Sequence, residues 1–182
     1  MDVCFTIAEE VSDYVARIAG KTGVPRVWIT FTYATYDLLG DYFFKFSWKP
    51  ARVMIERLIA RRISPVLQFD VDFPPMFKEI NEINELPERK RIIHLSASTD
   101  ILRAKRGLGG KFCIAGNVEF ESLAKEDIEH SLKEMARKCD KRGFILSTSG
   151  GSPIVLSKSN VDNLKDKLAS IASTLGTLYT IS

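Results

Sequence analysis

What this chain lacks narrows its reading first. No apolar run approaches the ~20 residues needed to span a bilayer, which sets aside a membrane partner. The opening MDVCFTIAEEV carries Asp2, Glu9 and Glu10 and has neither the basic start nor the long apolar stretch of a signal peptide. Cysteine is scarce: Cys4, Cys113 and Cys139 are widely spaced with no CxxC pair, so they read as structural thiols in a reduced, cytoplasmic setting. Charge of one sign is scarce too. The net charge of +3 is too small to argue for a nucleic-acid or membrane-surface partner. P-loop, HExxH, EF-hand and GxSxG motifs are all missing. Gly107-Leu108-Gly109-Gly110 follows a helical stretch and precedes an apolar run, the reverse of a dinucleotide fingerprint. The basic clusters around Arg89 and Arg103 have no interleaved aromatics and read as solvated faces.

What is present is the composition of a globular core, with 45% hydrophobic and 27% charged residues in 182. Two kinds of segment alternate. Short, β-branched or aromatic runs occupy 27–31, 65–69, 91–95, 112–115 and 143–147. They are nearly continuous rather than alternating, as in strands of a parallel sheet buried on both faces. Longer stretches carry apolar residues at helical spacing. One holds Val11, Tyr14, Val15 and Ile18, and a second Ala51, Met54, Ile55 and Leu58. A third holds Ile128, Leu132, Met135, Ala136 and Cys139, and the longest runs from Val161 to Leu175. This is the rhythm of βα units, so the expected class is α/β with parallel strands and helical crossovers. A complete eight-unit barrel takes ~250 residues. This length therefore fits an open sheet or part of a barrel, and pattern alone does not choose between them.

In parallel α/β folds the working face lies beyond the carboxyl ends of the strands. Four predicted strand ends carry polar clusters that would share one rim. Asp70 and Asp72 follow the second strand, and Ser96, Ser98, Thr99 and Asp100 follow the third. Gly116 and Asn117 follow the fourth, and Thr148 to Ser152, including Ser149, follow the fifth. Asp70 and Asp72 point to one side in extended chain and are candidate catalytic carboxylates; equally, they are positioned to cap a short helix starting near Pro74-Pro75. Thr99-Asp100 reads as a helix N-cap. Asn117 sits at an expected sharp turn where a left-handed conformation is tolerated. The Ser/Gly loop holding Ser149 either cradles an anion with backbone N–H groups or is simply flexible. His94, the one histidine in a predicted strand, points into a site or into the core, with no sequence-adjacent partner.

These segments resemble the uroporphyrinogen decarboxylase family, a (β/α)8-barrel superfamily that includes the cobalamin-dependent methyltransferases. The similarity runs from 43 to 172, through FFKFSWKPARVMIERLIARRISPVLQFDVDF, then ELPERKRIIHLSASTDILRAKRGLGGKFCIAGNV, then GFILSTSGGSPIVLSKSNVDNLKDKL. It implies a partial (β/α)8 barrel lacking its first strands, a single incomplete domain over 1–182. The implied activity is decarboxylation of a carboxylated tetrapyrrole, performed in this family without a cofactor. Alternatives are methyl transfer involving a corrinoid protein, and a non-catalytic half-barrel that needs a partner chain. The family's arginine-rich segment and first-half aspartate have no counterpart here, and the position of its C-terminal histidine falls near Gly150. The methyltransferases' zinc ligands fall on Gln68, Asp70 and Gly150, which do not make a soft-ligand site, so no metal is expected. The candidate site is therefore Asp70 and Asp72 as catalytic residues, with Gln68, His94, Asn117 and Ser149 binding a small-molecule substrate. Open barrel edges imply self-association.

Overall fold

The computed structural model describes residues 2–32, 35–70, 76–83, 91–108, 111–119, 128–139 and 143–148, with isolated positions at 166, 169–170 and 172–173. Five strands form one sheet: β1 (Arg26–Phe31), β2 (Ser64–Phe69), β3 (Ile92–Leu95), β4 (Cys113–Val118) and β5 (Phe144–Thr148). Their order is β1-β2-β3-β4-β5, and every neighbouring pair is parallel. Long α1 (Asp2–Thr22) precedes β1. Between β1 and β2 come the single turn α2 (Tyr36–Leu39) and a π-helical stretch, Phe43–Trp48, that runs straight into α3 (Lys49–Ala60). Short α4 (Met76–Asn81), α5 (Ile101–Gly107) and α6 (Ile128–Lys138) occupy the remaining crossovers. The chain is thus α/β, with helices alternating with parallel strands. The run read from Val161 to Leu175 lies almost wholly outside the described residues.

The strand order explains where the core sits. Crossovers of one hand between strands laid down in chain order stack their helices on one face of the sheet. Burial follows this rule: Val27, Ile29 and Phe31 of β1 turn inward, and Arg26, Trp28 and Thr30 turn out. Ile29, Phe31, Leu67, Phe69, Ile93, Leu95 and Ile114 share one core with Ile55 and Leu58 of α3, Met76 and Ile80 of α4, and Ala104 and Leu108 of α5. Phe31 stacks on Phe69 with ring centroids 4.8 Å apart, and Trp48 closes over Phe31 at 6.0 Å.

Two expectations need correction. Of the stripe Val11, Tyr14, Val15 and Ile18, only Val15 packs against the core. The other three are exposed, and α1 packs through Ala8, Ser12, Val15, Ala16 and Ala19. Small residues let its backbone approach α3 closely, and polar contacts then fix the pair. Arg57 donates to Ser12 Oγ at 3.0 Å and to both carboxylate oxygens of Asp13 at 2.9 Å, and Arg61 also reaches Asp13. The hydrogen bond from Arg57 holds the Asp13 carboxyl below its usual range, with both guanidinium charges adding to the effect and partial desolvation opposing it. The second correction is at Asn117. It is not in a left-handed turn: β4 continues through it to Val118, and the positive φ, 122°, belongs to Gly116.

Candidate functional site

The strand register builds a layered face opposite the helices. One layer reads Trp28–Val66–Ile92–Cys113, and the next reads Thr30–Gln68–His94–Ala115–Ile145. Asn117 and Ser147 pair one step further toward the carboxyl ends. Side chains two apart on a strand share a face. The polar groups of β2, β3 and β5 therefore converge where the rim argument places a site.

Gln68 is the hub on β2. Its Oε1 accepts from the Trp28 indole at 2.6 Å, and its Nε2 donates to Asp70 Oδ1 at 2.6 Å. Indole N–H only donates, so it must meet the amide's oxygen, which leaves Nε2 facing Asp70 and fixes the amide's orientation. Next to it, His94 Nε2 lies 2.8 Å from Ser147 Oγ. Between the two strands stands only Ala115, whose methyl group leaves room for the imidazole to reach across β4. Ser147 Oγ donates to the Thr148 carbonyl at 3.3 Å, so its lone pairs are left to accept from His94 Nε2–H. That tautomer makes Nδ1 the unprotonated nitrogen. His94 is 4% exposed, and Nδ1 is buried without a hydrogen-bond partner among the described residues. The Trp28 ring packs beside the imidazole with centroids 5.5 Å apart.

Burial pushes the His94 pKa below its ordinary 6.5; the Thr148 backbone and the Asp70 charge pull weakly the other way. The imidazole is therefore neutral at neutral pH, and the consequence for stability has a definite sign. Unfolded His94 takes up a proton near its ordinary pKa while the folded form does not, so the unfolded state binds more protons in that window. Stability should be fully present above about pH 6.5 and fall as the pH drops through the lowered folded value. Urea melts from about pH 7.5 down to about pH 5 should show a steeper loss for the wild type than for His94→Gln. Parallel pH profiles would remove His94 as the cause.

No protein-family model and no curated protein matches this chain. The site is accordingly described by its own residues. Gln68, Asp70 and His94 are brought together. Asn117 belongs to a neighbouring cluster: its Nδ2 donates to the backbone carbonyls of Ser96 at 2.9 Å and Thr99 at 2.5 Å, so both its amide hydrogens hold the β3–α5 loop. Ser96 Oγ pairs with Ser98 Oγ at 2.6 Å in that loop. Asp100 caps α5, accepting from the amides of Leu102 and Arg103. Asp72 and Ser149 lie outside the described residues, as does the Pro74-Pro75 helix start. Burial pushes the Cys113 and Cys139 thiols up, so both stay protonated at neutral pH. Among the described residues no three His, Cys, Asp or Glu side chains come together as a metal site, and no helix is long and apolar enough to cross a membrane.

Sequence reasoning missed Trp28 and the pairing of Ser147 with His94. Trp28 had a signal: in Arg-Val-Trp-Ile-Thr-Phe it shares strand parity with Arg26 and Thr30, which marks a face that is not core. The Ser147 pairing had none. His94 and Ser147 are 53 residues apart, and their meeting depends on the register of three strands.

Proposed function

We propose that the five-stranded sheet is a sector of a (β/α)8-type barrel, and that the polar row on the face opposite the described core helices binds a carboxylated small molecule. The resemblance to the uroporphyrinogen decarboxylase family suggests the class, a tetrapyrrole that loses carboxyl groups as CO2. The observation that carries this proposal is the strand order. A doubly wound sheet reverses its order at a switch point and wraps both faces. Here strands run in chain order, and Trp28, Gln68, Asp70, His94 and Ser147 share the face opposite the helices.

The row has suitable chemistry. Loss of CO2 from an acetate side chain breaks one C–C bond, leaves its electron pair on carbon and requires one proton there. Asp70 and His94 are the titratable groups placed to exchange it. The buried, unpartnered Nδ1 of His94 is an acceptor for a ligand's N–H or O–H. The exposed face of Trp28 is a flat apolar platform for a planar ring.

The test is a titration with uroporphyrin, the oxidised macrocycle that keeps the carboxylates, followed by quenching of tryptophan fluorescence. Saturable binding is expected, weakened at least ten-fold by His94→Ala and by Trp28→Ala, with circular dichroism unchanged. An absence of binding, or variants that bind as well as the parent, would sink the proposal. Evolution of CO2 from uroporphyrinogen then distinguishes catalysis from binding. A second reading, a half-barrel completed by a partner chain, draws on one observation. Trp28 on β1 and Ile145 on β5, at the two ends of the described sheet, are 54% and 42% exposed on the site's own face.

A further inference from the structure

The outward stripe of α1 has a pattern of its own. Ile7, Val11, Tyr14 and Ile18 are 56%, 43%, 58% and 42% exposed, although each is apolar or aromatic. Their spacing is four, three, four, the alternation of a coiled-coil seam. It is also palindromic, because reversing the helix end for end superimposes the stripe on itself. Ile7 then faces Ile18 and Val11 faces Tyr14, twice each. The adjoining side of α1, through Ala8, Ser12 and Ala19, is already taken by the core and α3.

The charges beside the seam carry the same two-fold symmetry. Glu10 and Arg17, both exposed, flank the seam on its solvent side at equivalent heptad positions. In an antiparallel pair those positions meet each other's copies, so Glu10 of one helix lies beside Arg17 of the other, twice. In a parallel pair these positions would instead face the other edge of the partner's seam, Glu10 beside Val15 and Arg17 beside Thr22, and the two charges would not meet. Within one helix the two are seven residues apart, two full turns, and do not meet. The guanidinium of Arg17 lies over its own Tyr14 ring, 5.4 Å from the centroid, which holds the charge at the seam's edge. Antiparallel packing also sets the two helix dipoles head to tail.

We infer that α1 is a dimerisation helix: two copies of this chain associate through antiparallel packing of the Ile7–Val11–Tyr14–Ile18 seam, with reciprocal Glu10–Arg17 pairs fixing the register. The seam runs along a helix about 30 Å long. This association differs from pairing of open sheet edges and does not depend on what the polar row binds.

Sedimentation equilibrium of the full chain, in low and high salt, tests it. A reversible monomer–dimer equilibrium is expected. Glu10→Lys and Arg17→Glu should each weaken it at least ten-fold, and the double variant E10K/R17E should return it to near the parent value. Val11→Asp should leave a monomer. All three positions are solvent-exposed, so the circular dichroism of each variant should match the parent, as should the melting temperature taken at concentrations where the parent is monomeric. A chain that is monomeric at every concentration overturns the inference, including the case in which residues beyond 148 cover the stripe. A dimer indifferent to both charge changes also overturns it and points to the sheet edges. Failure of the double variant to recover overturns the antiparallel register.

Discussion

Replacing Trp48 with alanine is expected to lower stability by about 3–5 kcal/mol, one of the two largest effects any single side chain here should produce. Trp48 is 1% exposed and is the largest fully buried side chain. It lies at the end of the π-helical stretch, where Phe43–Trp48 turns into α3, and its ring covers Phe31, which itself stacks on Phe69. Truncation removes the packing of the indole on Phe31 and leaves a void at the junction of the π-helical stretch with α3. It also removes the indole N–H that donates to Glu79 Oε2 of α4 at 3.2 Å. Trp48→Phe separates the two contributions. It keeps most of the ring, loses the hydrogen bond, and should cost about 1 kcal/mol. Urea denaturation of both variants is the check, and near-equal losses would show that the hydrogen bond, not the packing, is what matters.

Gly116→Ala is the second. At φ 122° the backbone occupies a region that side-chain-bearing residues rarely adopt, and an added Cβ would lie 2.7 Å from the carbonyl oxygen of Leu95. The obstacle is backbone in the adjacent strand, and the Leu95 side chain is 2% exposed in the core, so β3 cannot retreat. Strain and clash together should remove about 3 kcal/mol, roughly 10 °C in melting temperature for a chain of this size. Gly23→Ala is the control. Its φ is 70°, but nothing lies within 4 Å of the new methyl group, so only the backbone preference is lost, about 1 kcal/mol. If the two alanines cost the same, the close approach of β4 to Leu95 is not a constraint. The loss at 116 should also reach the site, because Asn117 holds the β3–α5 loop and Ala115 sets the gap that His94 spans.

Helix and strand content was legible because burial on both faces leaves a near-continuous apolar run. The stretches at 27–31, 65–69, 91–95 and 143–147 are strands within a residue or two of the expected bounds. β4 ran further than expected because Gly116 and Asn117 look like a turn locally. Only the pairing with β5, through Gly116 opposite Leu146 and Asn117 opposite Ser147, makes them strand. The α1 stripe was misread for a related reason. Helical spacing marks an apolar face but not what it faces, and here the core is met by Ala16, Ala19 and Val15 rather than by Val11, Tyr14 and Ile18.

The sequence by itself determined the α/β class, the chain order of helices and strands, the Asp100 cap and the gathering of polar residues after strand ends. Each follows from local preference or from periodicity, which act over a few residues. The βα spacing also pointed to parallel strands adjacent in chain order from β2 to β5, as the sheet shows. Tertiary structure alone decided that the described helices packing on the core share one face. It also decided that Trp28, Gln68 and Asp70 form one bonded chain, and that His94 finds Ser147 across β4. Those outcomes depend on strand register and crossover hand, which join residues 40 or 53 positions apart and leave no trace in the local pattern.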